Sequence, residues 1–97
     1  MDYGLAIKYT RVKVLKMQAK DLAMELGVSP EHYSYLENGH KQPTTNFMNK
    51  LGLYAKLPVP VMLFFGMNDA GIEETKKEAY LGLKHDIDKR IQEFIGY

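Results

Sequence analysis

The sequence predicts an all-α fold, in which a five-helix domain over residues 1–66 is followed by a short linker over residues 67–71 and an amphipathic helical segment over residues 72–97. Apolar residues recur at spacings of three and four along most of the chain, which is the period of a helix buried on one side. Glycine and proline mark the ends of these stretches, and patterns typical of strands are few. With 97 residues, of which 45% are hydrophobic, the chain is long enough for one domain, or for one domain and an extra helix.

Two helices joined by a tight turn form the most informative segment of the chain. The first three helices are predicted over residues 4–15, 18–26 and 30–38. Gly27 should end helix 2 in the left-handed conformation, Ser29 should cap helix 3, and Pro30 suits a first helical position, where its missing N–H costs nothing. Gly39 is expected to end helix 3. Two helices that cross steeply at such a turn form a helix-turn-helix, which places its second helix in the DNA major groove.

Two further helices complete the predicted domain. Thr44 or Thr45 should cap helix 4, which ends before Pro58. Pro60 should start a short helix 5 over residues 61–65. The large apolar residues of this region are interpreted as core rather than as a ligand pocket, because the sequence offers no polar anchor among them. They are Phe47, Met48, Met62, Phe64 and Phe65.

Composition excludes several classes of function. The chain has no cysteine, which removes disulfides and thiolate metal sites and suits a reducing compartment. The three histidines lack the spacing of metal ligands, and there is no phosphate-binding glycine loop, so we expect no catalytic residue, no metal site and no cofactor. The longest apolar stretch, residues 59–65, is too short to span a bilayer, and no membrane association is expected. The formal net charge is only +1, so a positive patch must arise from folding.

Three short motifs at matching distances resemble one known family. They are Leu22-Ala23, Gly27-Val28-Ser29 and Leu36-Glu37-Asn38-Gly39, with Pro43 following. Together they are similar to the helix-turn-helix of Cro and the phage repressors, the xenobiotic-response-element family, over about residues 8–65. The resemblance implies a five-helix, lambda-repressor-like domain. The chain departs from the family at Ala19, where a glutamine is usual, and at Pro30 and Glu31, which begin the recognition helix.

The resemblance assigns the base-contacting positions to the outer face of helix 3. They are Pro30, Glu31, His32 and Tyr35. The alternative is a plain solvated helix face. Glu31 could accept a hydrogen bond from cytosine N4, but phosphates repel its carboxylate unless His32, Lys20 or a cytosine amino group compensates.

Polar residues around helix 3 are the candidates for phosphate contacts, since lysine side chains and the N–H groups at a helix start both bind anions. They are Gln18, Lys20, Asn38, His40, Lys41, Thr44 and Thr45. The alternative is ordinary polar surface. The family also often pairs an arginine of helix 1 with the glutamate of the last motif. Here these are Arg11 and Glu37, although Arg11 is offset by about one residue, and both side chains could instead be exposed.

The C-terminal segment has an apolar face that is too wide to remain in water. The face consists of Tyr80, Leu83, Ile87, Ile91 and Phe94. It can pack on its own domain or pair with a second chain, and we expect pairing, because the first five helices contain enough apolar residues for a core. A break in the helix near Gly82 is an alternative to one continuous helix.

These observations favour a cytoplasmic, nucleoid-associated protein of bacterial or phage type that binds double-stranded DNA sequence-specifically. A homodimer on a palindromic operator, acting as a transcriptional repressor, is the expected form, because one helix-turn-helix contacts too few base pairs for useful specificity. Two alternatives remain. One is an antitoxin-type regulator that holds a partner protein through residues 72–97, and the other is a helix-turn-helix that has lost DNA binding.

Overall fold

The computed structural model describes residues 2–68 and 72–95, and in these ranges it contains helices and no strand. The predicted all-α fold class is therefore confirmed. The α-helices are α1 (Tyr3–Tyr9), α2 (Ala19–Leu26), α3 (Pro30–Glu37), α4 (Thr45–Ala55), α5 (Val59–Phe64) and α6 (Lys77–Ile95). A π-helix, Thr10–Leu15, continues α1, and a single 3₁₀ turn, Glu74–Lys76, leads into α6.

Helix ends at the α2–α3 turn form where the sequence predicts them. Gly27 and Gly39 have φ angles of 73° and 79°, the left-handed conformation that glycine adopts without steric cost. The Ser29 hydroxyl accepts a hydrogen bond from the His32 backbone N–H at 3.0 Å, and the Thr44 hydroxyl accepts one from the Phe47 N–H at 3.0 Å. Each cap satisfies a backbone N–H that lacks a partner within its own helix.

The core lies between α1, α2, α3, α4 and α5. Its fully buried large side chains are Ile7, Leu22, Tyr33, Leu36, Leu51 and Met62. Burying an aliphatic side chain of this size stabilises the fold by about 1.5–3 kcal/mol. Helices α1 and α3 approach so closely that a Cβ atom added at Gly4 would collide with the backbone carbonyl of Glu37. The back of α3 is thus held directly against a rigid helix.

The helices differ from the predicted ones in three ways: in winding, in one starting residue and in the conformation of two helix ends. Helix 1 changes from α to π winding at Thr10, whose hydroxyl donates to the Ala6 carbonyl at 2.9 Å. Helix 5 begins at Val59, two residues earlier than expected, because the first helical turn needs no N–H from Pro60. Lys16 and Lys56 end the π-helix and α4 in the left-handed conformation, with φ of 53° and 58°. Lysine gives no local sign of this, since the conformation is unfavourable for it.

Helix α6 is continuous through Gly82, so the alternative of a break there is wrong for this structure. The space around Gly82 is open, so glycine costs α6 only its lower intrinsic helix propensity. Ile91 is 8% exposed and joins the core, with Ile87 packed beside it against the domain. The expectation that the first five helices complete the core alone is therefore wrong, because Ile91 of α6 is part of the core, and Ile87 and Ile91 line one groove with Val61 and Phe64 of α5.

The rest of the predicted α6 face remains near solvent. Leu83 and Phe94 are 57% and 69% exposed, and Leu81, on another side of α6, is also exposed. Tyr80 is half-buried, and its hydroxyl has no hydrogen-bond partner within the described residues. Part of the predicted linker, residues 69–71, lies outside the described residues. Before it, the Gly66 carbonyl accepts a hydrogen bond from the Asp2 N–H at 2.8 Å, which joins the end of α5 to the start of α1.

Candidate nucleic-acid interface

One side of α3 is buried and the other faces solvent. Tyr33 and Leu36 are 0% and 2% exposed, and the Tyr33 ring lies 6.5 Å from the ring of Phe47 in α4. Of the base-contacting candidates, Pro30, Glu31 and Tyr35 are exposed, and His32 is half-buried. We call the solvent-facing side of α3, with these four predicted positions, the α3 face.

Tyr35 is central to the polar contacts of the α3 face. Its hydroxyl donates a hydrogen bond to Oε1 of Glu31, one helical turn earlier, at 3.0 Å. On its other side the ring meets the His40 ring edge-on, with centroids 6.1 Å apart. Glu31, Tyr35 and His40 therefore form a row along α3, in which two base-contacting candidates meet one phosphate-contacting candidate.

The loop after α3 folds back onto the end of that helix. The backbone N–H groups of His40 and Lys41 both donate to the Tyr35 carbonyl, at 2.9 and 3.2 Å. Asn38 donates through its side-chain amide to the Ser34 hydroxyl at 3.1 Å. These contacts fix Asn38, His40 and Lys41 as exposed polar side chains beside the α3 face.

The starts of α2 and α4 supply the other predicted phosphate contacts. Gln18 occupies the N-cap position of α2 without a side-chain capping bond, and its amide and the Lys20 side chain are exposed. Ala19 between them is half-buried and packs against the core. Thr44 and Thr45 are exposed at the start of α4, although Thr44 already accepts the capping bond. The groups predicted to contact phosphates therefore lie on elements that flank α3 in the chain on both sides.

An ion pair between Arg11 of the π-helix and Glu37 joins α3 to that helix. Arg11 donates from Nε to Oε2 of Glu37 at 3.0 Å and from Nη2 to Oε1 at 2.7 Å. Its Nη1 donates to the Met17 carbonyl at 3.0 Å, which joins the connection before α2 to the same guanidinium. The pair implied by the family resemblance is thus present. A π turn closes over one residue more than an α turn, and this winding accommodates the one-residue offset of Arg11.

The environment of the pair favours its charged state. The Glu37 pKa is lowered: burial acts to raise it, but the hydrogen bonds from Arg11, the charge of Arg11 and the nearby Tyr33 hydroxyl outweigh burial. The Arg11 pKa is raised, chiefly by its hydrogen bonding to Glu37. Burial and the adjacent Glu37 carboxylate raise the pKa of the Tyr33 hydroxyl, so Tyr33 stays neutral beside the pair. The ion pair of Arg11 and Glu37 is therefore charged throughout the physiological pH range.

Some contacts of this region were not foreseen from sequence. Lys50 of α4 donates to the Leu26 carbonyl at 3.0 Å and so caps the C-terminal end of α2. Ser34 and Asn46 are exposed beside the predicted contacts. The helical spacing of Ser34 from Glu31 and Asn38 was a signal for its position on the outer face, whereas nothing local to Lys50 indicates a contact 24 residues away.

Comparison with known proteins supports the assignment of this domain. Residues 7–53 match the family model described as Helix-turn-helix, a match that runs from α1 through α4. No curated protein and no solved structure shows a significant match to the chain. Residues 7–53 are thus a helix-turn-helix domain, a module that binds DNA. This domain is of the xenobiotic-response-element type.

The described residues contain neither a metal-binding cluster nor a membrane-spanning helix. Among residues 2–68 and 72–95, no cluster of three or more histidine, aspartate or glutamate side chains is arranged to hold a metal ion. No helix within the same described ranges is both long and apolar enough to cross a membrane.

Proposed function

We propose that this chain is a homodimeric transcriptional repressor, which binds a palindromic operator in double-stranded DNA through the α3 face. The observation that carries the proposal is the outer surface of α3, where polar side chains are exposed on a helix whose opposite side is buried and braced. A rigid helix with polar side chains on one face is what direct contact with base edges in the major groove requires.

The proposed division of labour places base contacts on α3 and phosphate contacts around it. Pro30, Glu31, His32 and Tyr35 contact bases, Pro30 through an apolar contact only. The groups proposed for phosphates are Gln18, Lys20, Asn38, His40, Lys41, Thr44 and Thr45. Phosphate contacts fix the position of the helix in the groove, whereas base contacts give sequence preference. With a net charge of only +1, affinity depends on a few placed contacts rather than on a strong overall field.

Substitutions on the two kinds of position should behave differently. Tyr35→Ala or His32→Ala should cost about 1–3 kcal/mol on the preferred site and change preference at one base pair. Lys41→Ala should weaken binding to all sequences alike and reduce the salt dependence by about one ion. Fluorescence anisotropy with labelled duplexes measures both effects, and Glu25→Ala, on an exposed position of α2, is the matched control. If the α3 variants bind as tightly as the wild type, α3 is not the recognition helix.

Dimerisation follows from the small number of base pairs that one helix contacts. Two copies related by a two-fold axis would contact half-sites about one helical turn (~10 bp) apart. The proposed dimer contact is the α6 face, Tyr80, Leu83, Ile87, Ile91 and Phe94. Since Ile87 and Ile91 already pack within the chain, Leu83 and Phe94 are the members that remain most available to a second copy.

Light scattering on the full chain tests this contact. Leu83→Asp with Phe94→Asp should convert a dimer to a monomer, because two carboxylates cannot be buried unpaired in an apolar interface. Leu53→Asp, at an 81% exposed position of α4, is the control and should stay dimeric. A wild-type monomer would exclude the homodimer, and a doubly substituted dimer would place the interface elsewhere.

The second candidate function is an antitoxin-type regulator that holds a partner protein on α6. The observation that favours it is the same exposed apolar surface around Leu83 and Phe94. The salt dependence of complex formation separates the two functions. DNA binding weakens steeply with added salt because counterions are released, whereas an apolar protein contact does not.

A further inference from the structure

We infer that Glu31 and Tyr35 act as one hydrogen-bond-accepting unit that selects cytosine in the operator. The inference rests on the proposed DNA-binding function and adds the base that this part of the α3 face recognises. Its starting point is the contact between the two side chains, in which the Tyr35 hydroxyl and Oε1 of Glu31 are 3.0 Å apart.

The direction of this hydrogen bond follows from the chemistry of its two groups. An ionised carboxylate only accepts, and a phenol has a single proton, so the Tyr35 hydroxyl donates that proton to Glu31. The outward part of the tyrosine oxygen then offers only lone pairs, and Oε2 of Glu31 offers only lone pairs as well. Both side chains are exposed, with Tyr35 at 45%, so these acceptors are presented to solvent and to whatever approaches the α3 face.

Within the part of the chain that the structure describes, no cationic side chain forms an ion pair with Glu31. Within residues 2–68 and 72–95 neither Lys20 nor His32 forms an ion pair with it, although the sequence made both plausible partners. The carboxylate does lie in the first turn of α3, where the positive end of the helix dipole favours a negative charge. A negative acceptor is therefore available on a surface that is expected to enter a major groove.

Only amino groups in the major groove match such a unit. Guanine presents the acceptors N7 and O6 and thymine presents O4, and each of these would be repelled by the carboxylate. Adenine N6 is a donor but lies between two acceptors, its own N7 and O4 of the paired thymine. Cytosine N4 has an acceptor on one side only, because its other neighbour is C5–H. Cytosine is thus the base that a paired Glu31 and Tyr35 favour most.

The test is selection from a pool of random duplexes with the full chain, followed by sequencing, for the wild type and three variants. We expect the wild type to enrich cytosine at one position of each half-site. Glu31→Gln should lower the preference for cytosine there about tenfold and shift it toward adenine, which a glutamine amide contacts through N6 and N7. Tyr35→Phe keeps the ring, removes the hydroxyl and should lower the preference at the same position. Glu25→Gln, an exposed change of the same chemistry on α2, should change no position.

Thermal unfolding of the variants accompanies the selection, and equal stability is expected because all three side chains are exposed. A wild-type motif that Glu31→Gln leaves unchanged at every position overturns the inference while leaving the proposed DNA binding intact. So does a motif that Glu31→Gln changes only at a guanine or a thymine. Failure of the wild type to enrich any sequence removes the proposed function and the inference together.

Discussion

Replacing Arg11 by methionine tests whether the ion pair behind α3 determines the stability of the domain. The change removes the charge and three hydrogen bonds, two to Glu37 and one to the Met17 carbonyl, while it keeps most of the apolar stem. The side chains of Arg11 and Glu37 are only 15% and 10% exposed. The carboxylate of Glu37 would therefore stay largely buried without a partner.

Removing one partner of a buried pair costs about 3–5 kcal/mol. Because a small part of this pair is exposed, we expect the lower end, about 3 kcal/mol, out of a total of about 5–15 kcal/mol for a domain. In a domain of this size each kcal/mol lowers Tm by about 4–8 °C, so the Arg11→Met variant should melt at least about 12 °C below the wild type. Thermal and urea unfolding followed by far-ultraviolet circular dichroism measure the loss.

Two further variants sharpen the measurement. Arg11→Met combined with Glu37→Met should recover much of the loss, because the orphaned carboxylate is removed and apolar groups fill the site. Lys84→Met disrupts the more exposed pair with Asp88, 3.0 Å within α6, and should cost less than about 1 kcal/mol. If Arg11→Met loses no more unfolding free energy than Lys84→Met, the ion pair behind α3 does not determine the stability of the domain.

Four other changes have defined outcomes. The Glu37 pKa is lowered in the folded state, so the unfolded state binds protons first as pH falls below the ordinary glutamate pKa of about 4.3. The free energy of unfolding of the wild type should therefore decline in acid. Acid titrations of the unfolding free energy should show that Glu37→Gln lacks this part of the decline. Gly39→Val should lose about 1–2 kcal/mol in urea unfolding because of its positive φ, whereas Gly82→Ala should gain about 0.5–1 kcal/mol in open space on α6. Gly4→Ala should destabilise the domain more than Gly39→Val does, because the added Cβ meets the backbone of α3 in the buried interface. Thermal unfolding measures this difference.

Local signals made the helix-turn-helix predictable. Gly27, Ser29 and Gly39 each have a single conformational or capping role, and the structure gives each of them that role. The burial of Tyr33 and Leu36 likewise follows from their spacing of three, which puts them on one side of a helix. The orientation of the α3 face is a direct consequence of these local preferences.

Contacts between distant residues account for what the sequence did not predict. The π winding after Thr10 accompanies contacts that Arg11 makes with Glu37, 26 residues away. The packing of Ile91 on α5 depends on how much of α5 the other helices leave uncovered, which no local pattern encodes. At the candidate site, the spacing of Glu31 and Tyr35 permits their hydrogen bond, but only the rotamers in the folded chain decide that it forms.

The central claim is that two copies of α3 recognise a two-fold symmetric DNA sequence. Selection from random duplexes with the wild-type full chain, followed by sequencing of the bound fraction, tests it most directly. We expect an enriched palindrome whose half-sites are centred about one helical turn apart, about 10 bp. An enriched site without two-fold symmetry would contradict the dimeric arrangement, and a bound fraction indistinguishable from the starting pool would contradict sequence-specific recognition by α3.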